Sequence, residues 1–267
     1  MLLQPNCKIN IGLRITGKRP DGYHNIDTLF YPIYGLHDEL EILVSGKQGQ
    51  QIDFYADGIA VDCAKEDNLV VKCYRQMAAN YPSIGSVQVT LCKHIPFGAG
   101  LGGGSSDAAH IALALNQLFN LNLTREQLAQ EVRILGADCP FFIYNTPCHA
   151  EGIGDILTPI DYSLAGKRIV MVKPDVAIST REAYRGVTIG GKNQWHNYFE
   201  DTLFPLHPIL PRIKQWLLDA GAEYAAMSGS GSTIYGIFHS DAESCTATNL
   251  RLQDKEMATM IIFDNTL

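Results

Sequence analysis

The sequence predicts an α+β fold in two lobes. Segments with the two-residue alternation of β-strands are mixed with segments of helical periodicity, without the regular strand–helix–strand order of a parallel α/β sheet. A turn-forming stretch, EGIGD at residues 151–155, divides the chain into predicted lobes of residues 1–150 and 151–267. No internal repeat or low-complexity tail interrupts this pattern.

Length, charge and cysteine usage narrow the class of protein. A chain of 267 residues can bury one large core or two medium ones, and its formal net charge of −7 is unfavourable for nucleic-acid binding, which needs a basic surface. The seven dispersed cysteines contain no CxxC pair, so they suggest neither a zinc site nor a disulfide framework. The first residues lack a signal-peptide pattern, and no segment reaches the roughly 18 apolar residues of a membrane helix. We therefore predict a cytoplasmic protein without a nucleic-acid or membrane partner, and leave its oligomeric state open.

The first predicted strand runs from Cys7 to Ile15, where apolar and polar residues alternate. Its polar residues share one side, so Lys8 and Asn10 are expected to project from the same face of a half-buried strand. The following segment, TGKRPDGYH at residues 16–24, has the Pro-Asp-Gly chemistry of a turn.

The next predicted elements surround a glycine-rich stretch. A strand at residues 87–91 leads into the run at residues 98–104, and a helix follows over residues 105–119. Thr124 and Gln127 form a capping box that predicts another helix.

In the second lobe, the pattern predicts a strand at residues 169–172 and a helix through residues 213–220 that ends at Gly221. A loop of small residues at 227–232 and a strand at 233–238 follow.

Five of the seven residues at 98–104 are glycine, directly between a predicted strand and a predicted helix. A tight turn explains one or two glycines, whereas a backbone that must approach an anion explains the whole run. Amides at a helix N-terminus bind phosphate, so we interpret the run as a phosphate-binding loop. Gly98, Gly100 and Gly103 have the spacing of the dinucleotide fingerprint, but no strand is predicted where its acidic residue should lie, about 20 residues on. A Walker A loop is excluded because Ser105, not lysine, follows Gly104.

The segment PFGAGLGGGSSDAA at residues 96–109 resembles the phosphate-binding motif of the GHMP kinases, and SGSGS at residues 228–232 resembles their third motif. Alone, the second stretch is explained equally well by a hairpin turn. The resemblance implies a ribosomal-protein-S5-like N-terminal lobe that binds ATP and a ferredoxin-like C-terminal lobe that completes the substrate site. A branched side chain at Gly103 is expected to crowd the phosphate and to disfavour a positive φ. The resemblance also implies these nucleotide contacts: Pro96, Phe97, Gly98, Ala99, Gly100, Leu101, Gly102, Gly103, Gly104, Ser105, Ser106, Asn68 and Lys93.

Three further segments resemble the diphosphocytidyl-methylerythritol kinases, a family within the GHMP class. They are PNCKINIGLRITGKRPDGYH at residues 5–24, LGADCPFF at residues 135–142 and NYFE at residues 197–200. Cys7, Cys139 and Tyr198 depart from the family pattern, and Tyr198 leaves the role of the third segment open. The resemblance implies ATP-dependent phosphorylation, with Mg²⁺, of the 2-hydroxyl of a cytidine diphosphate derivative of methylerythritol in isoprenoid precursor synthesis.

Lys8 and Asp138 match the catalytic pair of that family. From the residues alone, an ordinary capping or turn aspartate is the favoured interpretation of Asp138, and the resemblance reverses that preference. Lys8 alone is also explained as a solvated strand lysine. Because phosphoryl transfer is largely dissociative, we assign Asp138 to orienting the attacking hydroxyl and accepting its proton late. Lys8 is assigned to offsetting negative charge around the transferred group.

The family's acceptor-binding positions match Asn10, Tyr23, His24, Thr180 and Tyr184. The rings of Tyr23 and Tyr184 suit stacking on cytosine, and the imidazole of His24 suits hydrogen bonding to the base edge. Tyr184 is also explained as a core residue.

The eight histidines lack metal-ligand spacing, so we predict no resident metal ion and expect Mg²⁺ to arrive with ATP. Two alternatives remain. A GHMP kinase for homoserine or mevalonate would not share RPDGYH, and a non-catalytic nucleotide-binding regulator would be expected to lose Lys8, Asp138 or the glycine-rich run.

Overall fold

A computed structural model of the chain describes residues 1–60, 63–239 and 261–266. In chain order the strands are β1 (Leu2–Leu3), β2 (Asn6–Lys18), β3 (His24–His37), β4 (Glu39–Val44), β5 (Ile52–Gly58), β6 (Val87–Lys93), β7 (Cys148–Glu151), β8 (Ile156–Pro159), β9 (Lys167–Lys173), β10 (Tyr224–Met227), β11 (Ile234–His239) and β12 (Ile261–Thr266). The helices are α1 (Leu69–Asn80), α2 (Gly103–Leu118), α3 (Arg125–Arg133), α4 (Cys139–Tyr144), α5 (Thr180–Ala183), α6 (Phe199–Leu203) and α7 (Ile209–Asp219), with a 3₁₀ turn at Lys65–Asp67.

The described chain forms two compact units. Unit 1 comprises residues 1–7, 36–97 and 102–146, and unit 2 comprises residues 8–35, 98–101 and 147–267. The units therefore interleave along the sequence, and the predicted division at residue 150 stays a prediction about lobes.

Unit 1 is a sheet with helices packed against it. The strand order is β1-β4-β6-β5, with β5 parallel to β6 and the other neighbours antiparallel. In β6 the alternate residues Val87, Val89 and Leu91 are fully buried, as expected for a strand with one face in the core. Helix α2 packs against α1, α4 and β4, and buries a face that includes Ile111 and Leu115. Both elements that flank the glycine-rich run are thus anchored.

Unit 2 contains two four-stranded sheets, in the orders β2-β3-β7-β8 and β10-β11-β9-β12. In the second sheet the strands are antiparallel, and α7 packs on β10 and β11 through Leu210, Ile213 and Leu217. These residues belong to a core that also takes side chains from β2, β9 and the helix α6.

The predicted strand and helix that flank the first glycine-rich stretch are confirmed, as are the helix α7 and the strand β11 of the second lobe, with ends that differ by a few residues. Strand β10, which directly precedes the second stretch, was not predicted. The Thr124–Gln127 capping box is present, with Gln127 N donating to Thr124 Oγ1 at 3.3 Å and Thr124 N donating to Gln127 Oε1 at 2.8 Å. Within the described ranges, no helix has both the length and the hydrophobicity that crossing a membrane requires.

One strand expectation was wrong. The first strand is not half-buried, because Lys8 and Asn10 on its polar side are only 3% and 2% exposed. Both side chains are covered because they hydrogen-bond to one another and to the backbone or side chains of unit 2. The alternation of β2 therefore separates an apolar interior side from a buried polar side.

Candidate active site

Lys8 is a buried cation held by oxygen atoms and an aromatic ring of unit 2. Its Nζ donates to Asn10 Oδ1 at 2.6 Å and to the carbonyl oxygen of Gly100 at 3.2 Å, and lies 4.9 Å from the centroid of the Phe30 ring. The Lys8 amide donates to the carbonyl of Leu101 at 3.0 Å. These partners compensate the cost of burying a charge. The hydrogen bond between Lys8 and Asn10 also confirms the prediction that the two side chains lie on the same side of the strand.

The two glycine-rich stretches touch inside unit 2. Gly100 has φ +76°, and a Cβ placed on it would lie 2.0 Å from the carbonyl oxygen of Ser228. Ser228 Oγ donates to the Gly100 carbonyl at 2.9 Å and accepts from the amide of Asn10 at 3.2 Å. The loop at residues 227–232 does connect the hairpin strands β10 and β11, but its serine also supports the first loop.

Gly98 differs from its neighbour glycine in having open space beside it. Its φ is +62°, and no heavy atom outside its immediate chain neighbours lies within 4 Å of an added Cβ. A backbone that is strained for other residues yet crowded by nothing leaves room for a guest such as a phosphate.

The part of the run in unit 1 forms the start of α2. Gly102 is the N-cap, with φ +72° and no side-chain cap. The first amides of a helix have no intrahelical acceptor, so they favour an anion. The expectation of a positive φ at Gly103 was wrong, because Gly103 is the first helical residue, and its added Cβ would lie 2.8 Å from Ile95 Cγ2 instead.

Lys93, predicted to contact the nucleotide, has its side chain inside unit 1. Its Nζ donates to Asp107 Oδ2 at 2.7 Å and also to Asp38 Oδ2. Asp38 Oδ1 in turn accepts from the amides of His94 and Ile95 at 2.6 and 2.8 Å. The ammonium therefore joins β6, α2 and the residue before β4, and the nucleotide contact of Lys93 stays a prediction.

The carboxylates of Asp38 and Asp107 both pair with Lys93, and the pKa values of Lys93 and Asp107 are raised. Burial lowers the pKa of Lys93, but the charges of Asp107 and Asp38 more than offset that effect, so the pKa lies above its ordinary value. Burial raises the pKa of Asp107 to about 7, a rise that Lys93 opposes and the negative charge of Asp38 increases. Asp107 Oδ1 has no hydrogen-bond partner among the described residues. Burial thus favours the protonated form of Asp107.

Asp138 and Asn68 occupy helix starts in unit 1. Asp138 is the N-cap of α4, yet its side chain makes no capping hydrogen bond, and it is partly exposed. That argues against the ordinary capping role considered from the sequence. Asn68 does cap a helix, because its Oδ1 accepts from the Val70 amide at 2.9 Å, so its predicted adenine contact remains untested.

The predicted cytidine residues lie in unit 2. His24 and Tyr184 stack on each other with ring centroids 4.7 Å apart and an interplanar angle of 16°. The ring of Tyr184 also makes a T-shaped contact with the buried Phe199, with centroids 4.8 Å apart, which accounts for the core interpretation of this tyrosine. Tyr23 is 62% exposed, and Thr180 begins α5 at the surface.

Sequence reasoning missed the polar residues that support these groups. Asp38 and Asp107 are buried around Lys93, and Asn197 and Glu200 are buried in unit 2. The NYFE segment signalled Asn197 and Glu200 without indicating a role, whereas nothing in the local pattern singled out Asp38.

Comparison with known proteins identifies the family. The model of the GHMP kinase N-terminal domain matches residues 68–146, and that of the GHMP kinase C-terminal domain matches residues 180–247. A curated protein from Bacteroides fragilis named 4-diphosphocytidyl-2-C-methyl-D-erythritol kinase is 47% identical over 254 residues, covering 89% of this chain and 92% of its own. The chain belongs to the 4-diphosphocytidyl-2-C-methyl-D-erythritol kinase family.

Solved structures agree with this family assignment. A crystal structure of 4-(cytidine 5'-diphospho)-2C-methyl-D-erythritol kinase superposes with a TM-score of 0.79 at 28% identity, over 99% of this chain and 98% of that one. Homoserine kinase from Cytophaga hutchinsonii superposes with a TM-score of 0.71 at 18% identity, over 90% and 89% of the two chains, which shows a shared fold alone. The family and the α+β class predicted from the sequence are confirmed.

Proposed function

We propose that the chain transfers the γ-phosphoryl group of ATP to the 2-hydroxyl of 4-diphosphocytidyl-2-C-methyl-D-erythritol. The observation that carries the proposal is the 47% identity, over 89% of the chain, to a kinase of that name. The chain's own residues support it, because the buried Lys8, the glycine-rich run and the partly exposed Asp138 are all present.

Lys8 would supply a fixed positive charge. Its ammonium is already desolvated and held by Asn10 and Gly100, so it needs little reorganisation when negative charge develops on the transferred group. Asp138 would orient the acceptor hydroxyl and take its proton late in the transfer.

Nucleotide phosphates would bind at the glycine-rich run. The open space at Gly98 and the uncapped N-terminus of α2 both suit an anion. In the described part of the chain, no group of three or more His, Cys, Asp or Glu side chains is arranged to hold a metal ion. We therefore propose that Mg²⁺ accompanies the nucleotide, where it would neutralise phosphate charge.

The cytosine of the acceptor would bind at Tyr23 and His24. The exposed ring of Tyr23 is available for stacking, and His24 has a ring nitrogen for the base edge. Because Tyr184 stacks on His24, we propose that it fixes the orientation of that imidazole.

An ATP-consumption assay with three acceptors tests this function. Turnover is expected with 4-diphosphocytidyl-2-C-methyl-D-erythritol and not with mevalonate or homoserine at the same concentrations. Turnover with homoserine or mevalonate alone would assign the chain to another GHMP activity. Absence of turnover with all three, in a folded protein that binds ATP, would favour a nucleotide-binding regulator.

A further inference from the structure

Two buried polar side chains of unit 2 have no role in the function proposed above. Asn197 is 1% exposed and Glu200 is 2% exposed, and both belong to the NYFE segment at the start of α6. Buried polar groups persist when their hydrogen bonds are made, so their partners indicate what they do.

Asn197 holds the backbone on both sides of Ser228. Its Nδ2 donates to the carbonyl of Met227 at 2.7 Å and to the carbonyl of Gly229 at 2.8 Å. Its Oδ1 accepts from the amide of Phe199 at 3.0 Å, which orients the carboxamide. Only an amide side chain of this length supplies two donors to two carbonyls and one acceptor to an amide.

Glu200 holds the same backbone stretch through an amide, whereas Asn197 holds it through carbonyls. Its Oε1 accepts from the amide of Met227 at 2.8 Å, and its Oε2 pairs with the ammonium of Lys214 from α7. The buried carboxylate is therefore compensated by a cation and anchored to a core helix.

The residue between the clamped positions contacts the phosphate-loop backbone. Ser228 Oγ donates to the Gly100 carbonyl at 2.9 Å, and the same carbonyl accepts from Lys8 Nζ at 3.2 Å. Ser228 Oγ also accepts from the amide of Asn10, whose side chain receives the second hydrogen bond of Lys8. Displacing Ser228 would thus alter two groups that accept hydrogen bonds from the Lys8 ammonium, the Asn10 side chain and the Gly100 carbonyl.

We propose that Asn197 and Glu200 are positioning residues for phosphoryl transfer, which fix Ser228 and through it Gly100, Asn10 and Lys8. This inference rests on the proposed kinase function. Neither side chain touches a substrate in this scheme; both act by holding the backbone of residues 227–229.

The test compares Asn197→Ala with Glu200→Gln and with the control Asp201→Asn. Asp201 adjoins Glu200 on α6, but its carboxylate is 46% exposed and bonds to His196. Steady-state kinetics would be measured at a temperature where each variant is folded. Because small displacements of reacting groups are costly, Asn197→Ala is expected to lower kcat by about tenfold to a hundredfold, with a smaller change in the KM for ATP.

Glu200→Gln keeps an oxygen for the Met227 amide, so it should retain most of the turnover that Glu200→Ala loses. Asp201→Asn should match the parent. A folded Asn197→Ala protein with a lower Tm and the parent's kcat would overturn the proposal, since that is the outcome of a purely structural role. A folded, ATP-binding parent without turnover on the acceptor would overturn the proposed function and this inference together.

If Asn197→Ala does not fold, Ser228→Ala carries the test. It removes only the hydroxyl that connects the backbone held by Asn197 and Glu200 to the partners of Lys8. It should lower kcat by about tenfold on the same reasoning. Parent-like kcat in Ser228→Ala would then refute the proposed route. Where both variants fold, combining Asn197→Ala with Ser228→Ala should lower kcat by less than the product of the two single reductions, because Asn197 acts through Ser228.

Discussion

Asp138 is the residue at which the chemistry can be tested most directly. It lies at the start of α4, and its side chain makes no capping hydrogen bond there, so replacing it should not uncap that helix. Replacing it should therefore affect catalysis more than folding.

We expect Asp138→Asn to lower kcat by about a hundredfold or more, the usual contribution of a positioned proton acceptor, while ATP affinity stays nearly unchanged. Single-turnover kinetics and nucleotide titration measure the two quantities separately. The exposed Asp219 on α7 provides a matched control, since Asp219→Asn changes the same charge away from the proposed chemistry. Parent turnover in Asp138→Asn would remove this carboxylate from the mechanism.

The Lys93 cluster predicts a pH dependence of stability. Because the pKa of Asp107 is raised to about 7 by burial, the folded chain holds this proton more tightly than the unfolded chain does. The contribution of Asp107 to the free energy of unfolding should therefore fall as pH rises from about 4 to 7, with a slope of at most about 1.4 kcal/mol per pH unit. The pKa of Lys93 is raised, so the loss of its charge lies above this range.

Asp107→Asn stays neutral throughout and should remove this slope. Urea denaturation at pH 5 and pH 8 should show the variant gaining stability relative to the parent as the pH rises. Parallel pH profiles for the two proteins would mean that Asp107 takes up no proton on folding, so that its carboxylate is ionised in the folded chain at both pH values.

At the residue scale, the sequence predicted the positions of side chains that depend only on neighbouring residues in the same strand. Alternation in β2 was enough to place Lys8 and Asn10 on one side, and their 2.6 Å hydrogen bond follows from it. The burial of that side and the partners of Lys93 could not be predicted. Asp38 is 55 positions from Lys93, and no local periodicity connects residues so far apart.

At the element scale, two glycines of the phosphate-binding run offer a matched pair. Gly98 and Gly100 both have a positive φ, but an added Cβ meets nothing at Gly98 and lies 2.0 Å from Ser228 O at Gly100. The difference in the free energy of unfolding between Gly98→Ala and Gly100→Ala therefore measures the cost of separating the two loops.

Gly98→Ala should cost about 1–2 kcal/mol, the strain of a left-handed conformation. Gly100→Ala carries the same strain and a backbone clash, so we expect a loss of at least about 3 kcal/mol. Urea denaturation of both variants gives the comparison. Equal losses would show that the loops separate at little cost.

The elements themselves were predicted where the local signals are strong. The capping box and the glycine after α7 marked helix ends that the structure retains. No prediction was made for β3, β4 or α1, although they supply much of the core of the described chain. Their burial on particular faces depends on pairing partners that lie far away in sequence, which is a tertiary effect.

At the scale of the whole molecule, the compact units interleave along the sequence. Residues 8–35 and 98–101 belong to unit 2, whereas the residues on either side belong to unit 1. A turn-forming stretch at residues 151–155 cannot express such an arrangement, because the arrangement depends on which strands pair. A ligand that binds either unit nevertheless reports on the stability of the folded chain, since binding to the native state alone raises its free energy of unfolding.

That linkage provides a test of the substrate that does not require turnover. CMP carries the base of the proposed acceptor, and at a hundred times its Kd it should stabilise the parent by about 2.7 kcal/mol. Tyr23→Ala removes the exposed ring on which the base would stack. Losing one aromatic–base stack costs about 1–3 kcal/mol, so CMP affinity should fall by roughly tenfold or more.

Tyr55 provides the matched control, because it is 57% exposed on β5 in unit 1, and Tyr55→Ala should retain CMP binding. Stabilisation by ATP should be the same in the parent and in both variants, because neither tyrosine belongs to the glycine-rich run. Unfolding curves with CMP, with ATP and without ligand measure all of these. A folded Tyr23→Ala protein stabilised by CMP as strongly as the parent would contradict the cytidine assignment while leaving the kinase family intact. Loss of the ATP effect in Tyr23→Ala alone would instead place the nucleotide at this ring.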